Sequence, residues 1–118
     1  MESTFDPQAV LLELIQHNDF NHFSGKFIRD ELVKYRNLWK ACLMTRHGTG
    51  IVLRDLNEGC YNVDTLYILA APGRAFDLAK VISRWEADEV KCMEGKEADS
   101  FLGQGGHLDE TVFEVWWD

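Results

Sequence analysis

Proton transfer and nucleophilic attack near neutral pH draw first on histidine and cysteine, and this chain carries four histidines (His17, His22, His47, His107) and three cysteines (Cys42, Cys60, Cys92). His47 and His107 lie in glycine-bearing stretches that read as loops, where catalytic groups are often displayed. Cys60 follows Glu58-Gly59 in a turn that would leave its thiol accessible. A thiol–imidazole pair made from Cys60 with His47 or His107 is therefore the catalytic candidate. Nothing in the spacing brings the three together, and solvated loop histidines are the commoner case, so the leading reading is not an enzyme. Cys42 and Cys92 fall in apolar, strand-like stretches, where a small inert thiol is usual. His17 and His22 are five residues apart and cannot share a helical face as an i, i+4 metal pair does. Asp109-Glu110 with His107 lacks the spacing of a calcium loop, and the cysteines lack the Cys-x-x-Cys of a structural zinc site. Neither a metal nor another cofactor is expected.

The junction Ala71-Pro72-Gly73-Arg74-Ala75 is the candidate anion site, with Gly73 and Arg74 as its residues. A helix start at the end of a central strand presents free N–H groups, and an arginine there can clamp a phosphate or carboxylate. Pro-Gly is also an ordinary turn dipeptide, and the turn is the favoured reading.

Charge carries more information. Residues 1–74 hold nine acids against eight bases, whereas residues 75–118 hold eleven acids against four, so nearly all of the net charge of −8 belongs to the second part. Glu86, Asp88, Glu89 and Glu94, with the C-terminal Trp116-Trp117-Asp118, are the candidate partner-binding residues. Carboxylates on one surface steer a basic partner, and an exposed tryptophan beside them is a good anchor. Along a strand, consecutive side chains face opposite ways, so if one of the two tryptophans enters the core the other points outward or toward a covering helix, and a sheet covered on both faces would bury both.

The elements that must position these residues follow from periodicity. Asp6-Pro7 starts a helix with Val10, Leu11, Leu14 and Ile15 on one stripe, ending near His17. Ser24 caps a second helix whose face holds Phe27, Ile28, Leu32 and Tyr35. Trp39, Ala41, Leu43 and Thr45 alternate as one face of a strand, which a glycine loop joins to a partner strand at Ile51-Val52-Leu53. The apolar run Leu66 to Ala71 reads as a central strand buried on both faces. A helix over 74–85 with Phe76, Ala79, Ile82 and Trp85 inward, a strand over 89–93, a helix over 96–102 and a strand over 111–117 complete the chain. The order α-α-β-β-β-α-β-α-β predicts an α+β or α/β domain over residues 1–118, a mixed sheet of about five strands packed with three to four helices.

Length suits one core, and no apolar run approaches the ~20 residues that cross a bilayer. The acidic start, Glu2 to Asp6, is unlike the basic opening of a secretory signal, and the odd, widely spaced cysteines suit a reducing cytoplasm. The acidic balance disfavours nucleic acid as a partner. The leading expectation is a small cytoplasmic interaction module that binds or neutralises a basic protein through residues 75–118. Immunity proteins share that profile in charge and size only. The alternatives are a small enzyme or anion-binding domain at Pro72-Gly73-Arg74, and a homodimer or larger homo-oligomer whose terminal strand pairs edge to edge with its mate.

Overall fold

A computed structural model describes residues 5–46, 50–103, 105 and 109–118. Asp6 accepts a hydrogen bond from the Gln8 N–H at 3.0 Å and, with Pro7 in the first turn, starts helix α1, Pro7–Gln16. A two-residue hairpin follows, β1 (Asp19–Phe20) with β2 (Phe23–Ser24), and Ser24 caps helix α2, Gly25–Lys34. Gly25 is demanded by this crossing, because a Cβ there would run into the carbonyl oxygens of Ile15, Gln16 and Asn18 at the end of α1.

A 3-10 turn at Arg36–Leu38 leads into β3, Trp39–Thr45, and three further strands complete the main sheet: β4 (Thr65–Ala70), β5 (Glu89–Glu94) and β6 (Thr111–Trp116). The strand order is β3-β4-β6-β5 and every pairing is antiparallel. Between strands lie α3 (Leu53–Asn57), α4 (Ala75–Ile82) and α5 (Gly95–Phe101). The class is α+β.

Several details differ from the sequence expectation, beginning with five α-helices where three to four were expected. Ile51-Val52-Leu53 is not a strand: the N–H groups of Asp55 and Leu56 turn back onto the Val52 carbonyl at 3.1 and 3.2 Å and start α3 instead. The sheet is antiparallel rather than mixed, because β6 returns between β4 and β5, which run parallel without touching. A terminal strand flanked on both sides offers no edge to a second copy, so the expected edge-to-edge pairing through that strand is ruled out by the topology.

Register divides the sheet into two faces. Cys42–Ile68–Phe113–Cys92 and Met44–Leu66–Val115–Val90 are rungs of the first face. The helices close over it with Ile15, Ile28, Leu32, Leu78, Val81 and Ile82 in one apolar core. Trp39 belongs to this core too, since the register slips between Trp39 and Ala41 and returns the indole to the inner side. Its Nε1–H donates to the Leu32 carbonyl at 2.9 Å. In α4 the inward face holds Leu78, Val81 and Ile82, while Phe76, expected inside, is 73% exposed.

The second face carries the rungs Ala41–Leu69–Val112–Met93 and Leu43–Tyr67–Glu114–Lys91. Helix α5 packs on it, through Ala98 and Leu102 against Met93 and Val112. Among the described residues, no helix is long and apolar enough to cross a membrane.

Candidate functional site

The acid-rich end of the sheet is assembled where β5 begins and β6 ends. The Asp88 N–H donates to the Trp116 carbonyl at 2.9 Å, and the Asp88 carboxylate accepts from the Asp118 N–H at 2.8 Å. Glu89 sits opposite Trp116 in register. Glu86 precedes them with φ 56, a left-handed conformation that glutamate seldom adopts. Glu86, Asp88, Glu89 and Asp118 thus come together at one end of the sheet. Glu94 stands at the other end of β5, about 16 Å away along an extended strand. Among the described residues, none of these five carboxylates lies in an ion pair.

The tryptophans divide as alternation requires. Trp117 is 1% exposed, stacks edge-on against Phe23 at 4.7 Å and donates to the Trp85 carbonyl at 3.1 Å. It therefore anchors the core and cannot touch a partner directly. Trp116 turns to the second face and is half-buried.

Among the described residues, β5 has a strand on one side only, and four of its first five residues' side chains are solvent-exposed. Among the described residues β3 also borders one strand, but its other side is covered. The Gln8 amide donates to the Cys42 carbonyl at 2.8 Å and accepts from the Cys42 N–H at 2.9 Å, as a neighbouring strand would. Burial pushes the Cys42 thiol up to about 12. Cys92, in the same rung at the opposite margin, is exposed, and partial desolvation with the Glu94 charge pushes its pKa up.

A second feature is a cleft of about 680 Å³ on the second face, lined by Leu43, Tyr67, Leu69, Phe101 and Leu102 and reaching Leu11 of α1. Tyr67 and Phe101 pack with ring centroids 5.0 Å apart. Burial, then the Glu114 carboxylate, pushes the Tyr67 pKa up, so the hydroxyl stays neutral. Arg46, the residue after β3, is also among those lining the cleft. Lys91, further along the Tyr67 rung, is held by Glu97 at 2.5 Å.

The remaining candidates are dispersed. His47 and His107 lie outside the described residues. Cys60 is exposed, its thiol donates to the Asp55 carbonyl at 3.3 Å, and its sulfur lies with the Asp55 and Glu58 carboxylates in a group spanning no more than 4.8 Å. Gly73 has φ 73 and closes the turn before α4, but the hollow beside it is only about 70 Å³ and is shared with Asp109 and Glu110. Those carboxylates disfavour an anion there, and Arg74 pairs with Asp77 at 3.6 Å.

Sequence reading missed the cleft, because it took the alternating apolar residues of β3 for the core face. It also missed the Asp55, Glu58 and Cys60 grouping, which depends on α3 closing where a strand was expected. Compared with family models, curated proteins and solved structures, the chain matches none.

Proposed function

We propose that the protein is an interaction module for a basic protein partner, which it captures at the open β5 edge and the acid-rich end of the sheet. The observation that carries this reading is the coincidence of an uncovered strand edge with Glu86, Asp88, Glu89, Asp118 and Glu94, none of them in an ion pair among the described residues. An extended basic segment adds to such an edge through main-chain hydrogen bonds, while its cationic side chains meet the carboxylates. A second copy fits less well. Antiparallel pairing of β5 with itself about its centre sets Glu89 against Glu94 of the mate, and like charges directly opposite are destabilising. The same charges keep the edge from casual pairing. Three free thiols suit a reducing cytoplasm, which is where we place this activity.

An alternating Lys-Val peptide is a suitable probe. It should shift the backbone amide resonances of β5, bind more weakly as salt is raised, and lose most of its affinity to the Glu86→Lys/Asp88→Lys/Glu89→Lys variant. Equal binding of an alternating Glu-Val peptide, or an unchanged affinity in the triple variant, would remove the proposal.

A further inference from the structure

We infer that the cleft on the second face is a binding site for a small molecule with an apolar body and a carboxylate head. This inference is independent of the β5 edge. The volume, about 680 Å³, lies in the roughly 300–1,000 Å³ range of small-ligand pockets. Its walls come from five elements, with Leu11 from α1, Leu43 from β3, Tyr67 and Leu69 from β4, Phe101 from α5 and Val112 from β6. Leu43 is 45% and Phe101 50% exposed, so apolar surface stands open in a chain that is otherwise rich in charge.

The polar groups on the walls narrow the ligand. The Gln8 amide is engaged with the Cys42 backbone. Tyr67, with its hydroxyl near the Glu114 carboxylate and kept neutral by burial, offers its ring. Arg46 is the cation among the lining residues, and no carboxylate of the described residues reaches it within ion-pair distance, although the chain has 20 acids. A guanidinium fork matches a carboxylate in shape and charge. An ammonium-headed ligand is repelled there, and a neutral one leaves the fork unused. A doubly charged phosphate calls for more than this one cation.

Isothermal titration with decanoate, decanol and decylamine, each kept below its micelle-forming concentration, tests the inference on the whole chain. Decanoate should bind more tightly than decanol, and decylamine should give no binding heat. Arg46→Ala should weaken decanoate roughly tenfold, the loss of one charge-assisted hydrogen bond, and leave decanol unchanged. Leu43→Asp, a change at an exposed position, should abolish binding of both while the circular dichroism spectrum stays native. 4-Phenylbutyrate in place of decanoate distinguishes an aromatic from an alkyl body, and tighter binding of either supports the site. Equal affinities for decanoate and decanol, an Arg46→Ala variant that binds decanoate as before, or no binding of either carboxylate would overturn it.

Discussion

Cys42 and Cys92 occupy opposite ends of one rung, separated by Ile68 and Phe113, and point to the same face of the same sheet. One is 4% exposed and the other is open to solvent. The difference is made by what stands beside the two margins. At β3, α1 lies alongside, and the Gln8 amide occupies the main-chain groups a further strand would use. At β5 there is no such cover among the described residues, and the strand is guarded by charge instead. An amide seals an edge against every partner, whereas carboxylates exclude acidic and identical strands yet admit a basic one.

The largest test of that contrast compares two positions in one rung. Met44→Ala, at a site 5% exposed on the sealed margin, should cost about 2–5 kcal/mol through lost burial and a cavity. Val90→Ala, at the other end of the rung and 46% exposed, should cost less than about 1 kcal/mol. Urea unfolding of both variants measures the difference, and equal costs would mean that the β5 margin is covered in solution.

Gln8→Ala sharpens the comparison at the sealed edge itself. Two hydrogen bonds to the Cys42 main chain are lost, an effect of about 2 kcal/mol at roughly 1 kcal/mol each. With its pKa pushed up to about 12, the Cys42 thiol stays protonated and unreactive at pH 8. A thiol reagent should therefore label Cys60 and Cys92 in the parent and gain access to Cys42 only in the variant. Size-exclusion chromatography should also show self-association of the variant through the bared β3 edge. Continued protection of Cys42 would assign the seal to the rest of α1.

Much of this frame was legible in local chemistry. Asp6-Pro7 and Ser24 start helices where capping rules place them, and the run from Leu66 was rightly read as central, since β4 is paired on both sides. The edges were not legible, because an edge is a property of strand order. Nothing in Thr111 to Trp116 says that this strand returns between two others. The bulge at Lys40 hid the second face in the same way. Ala41, Leu43 and Thr45 alternate with Trp39 in sequence, but the slip in register puts Trp39 inside and the other three on the cleft side. A glutamine on the polar side of a helix carries no signal that its amide will act as a strand.

Glu86 gives the smallest effect and the most discriminating one, because stability and binding should move in opposite directions. Its left-handed backbone, φ 56, costs a residue with a Cβ roughly 1–2 kcal/mol that glycine avoids, while glycine gives back part of that gain through the entropy of the unfolded chain. Glu86→Gly should therefore raise stability by about 0.5 kcal/mol in urea unfolding. The same change removes one of the carboxylates at the acid-rich end and should weaken capture of the Lys-Val peptide. A strained residue held at a cost in stability is expected where its side chain is used by a partner. If Glu86→Gly stabilises the fold and leaves peptide affinity untouched, Glu86 has no part in capture and the contact is confined to β5 itself.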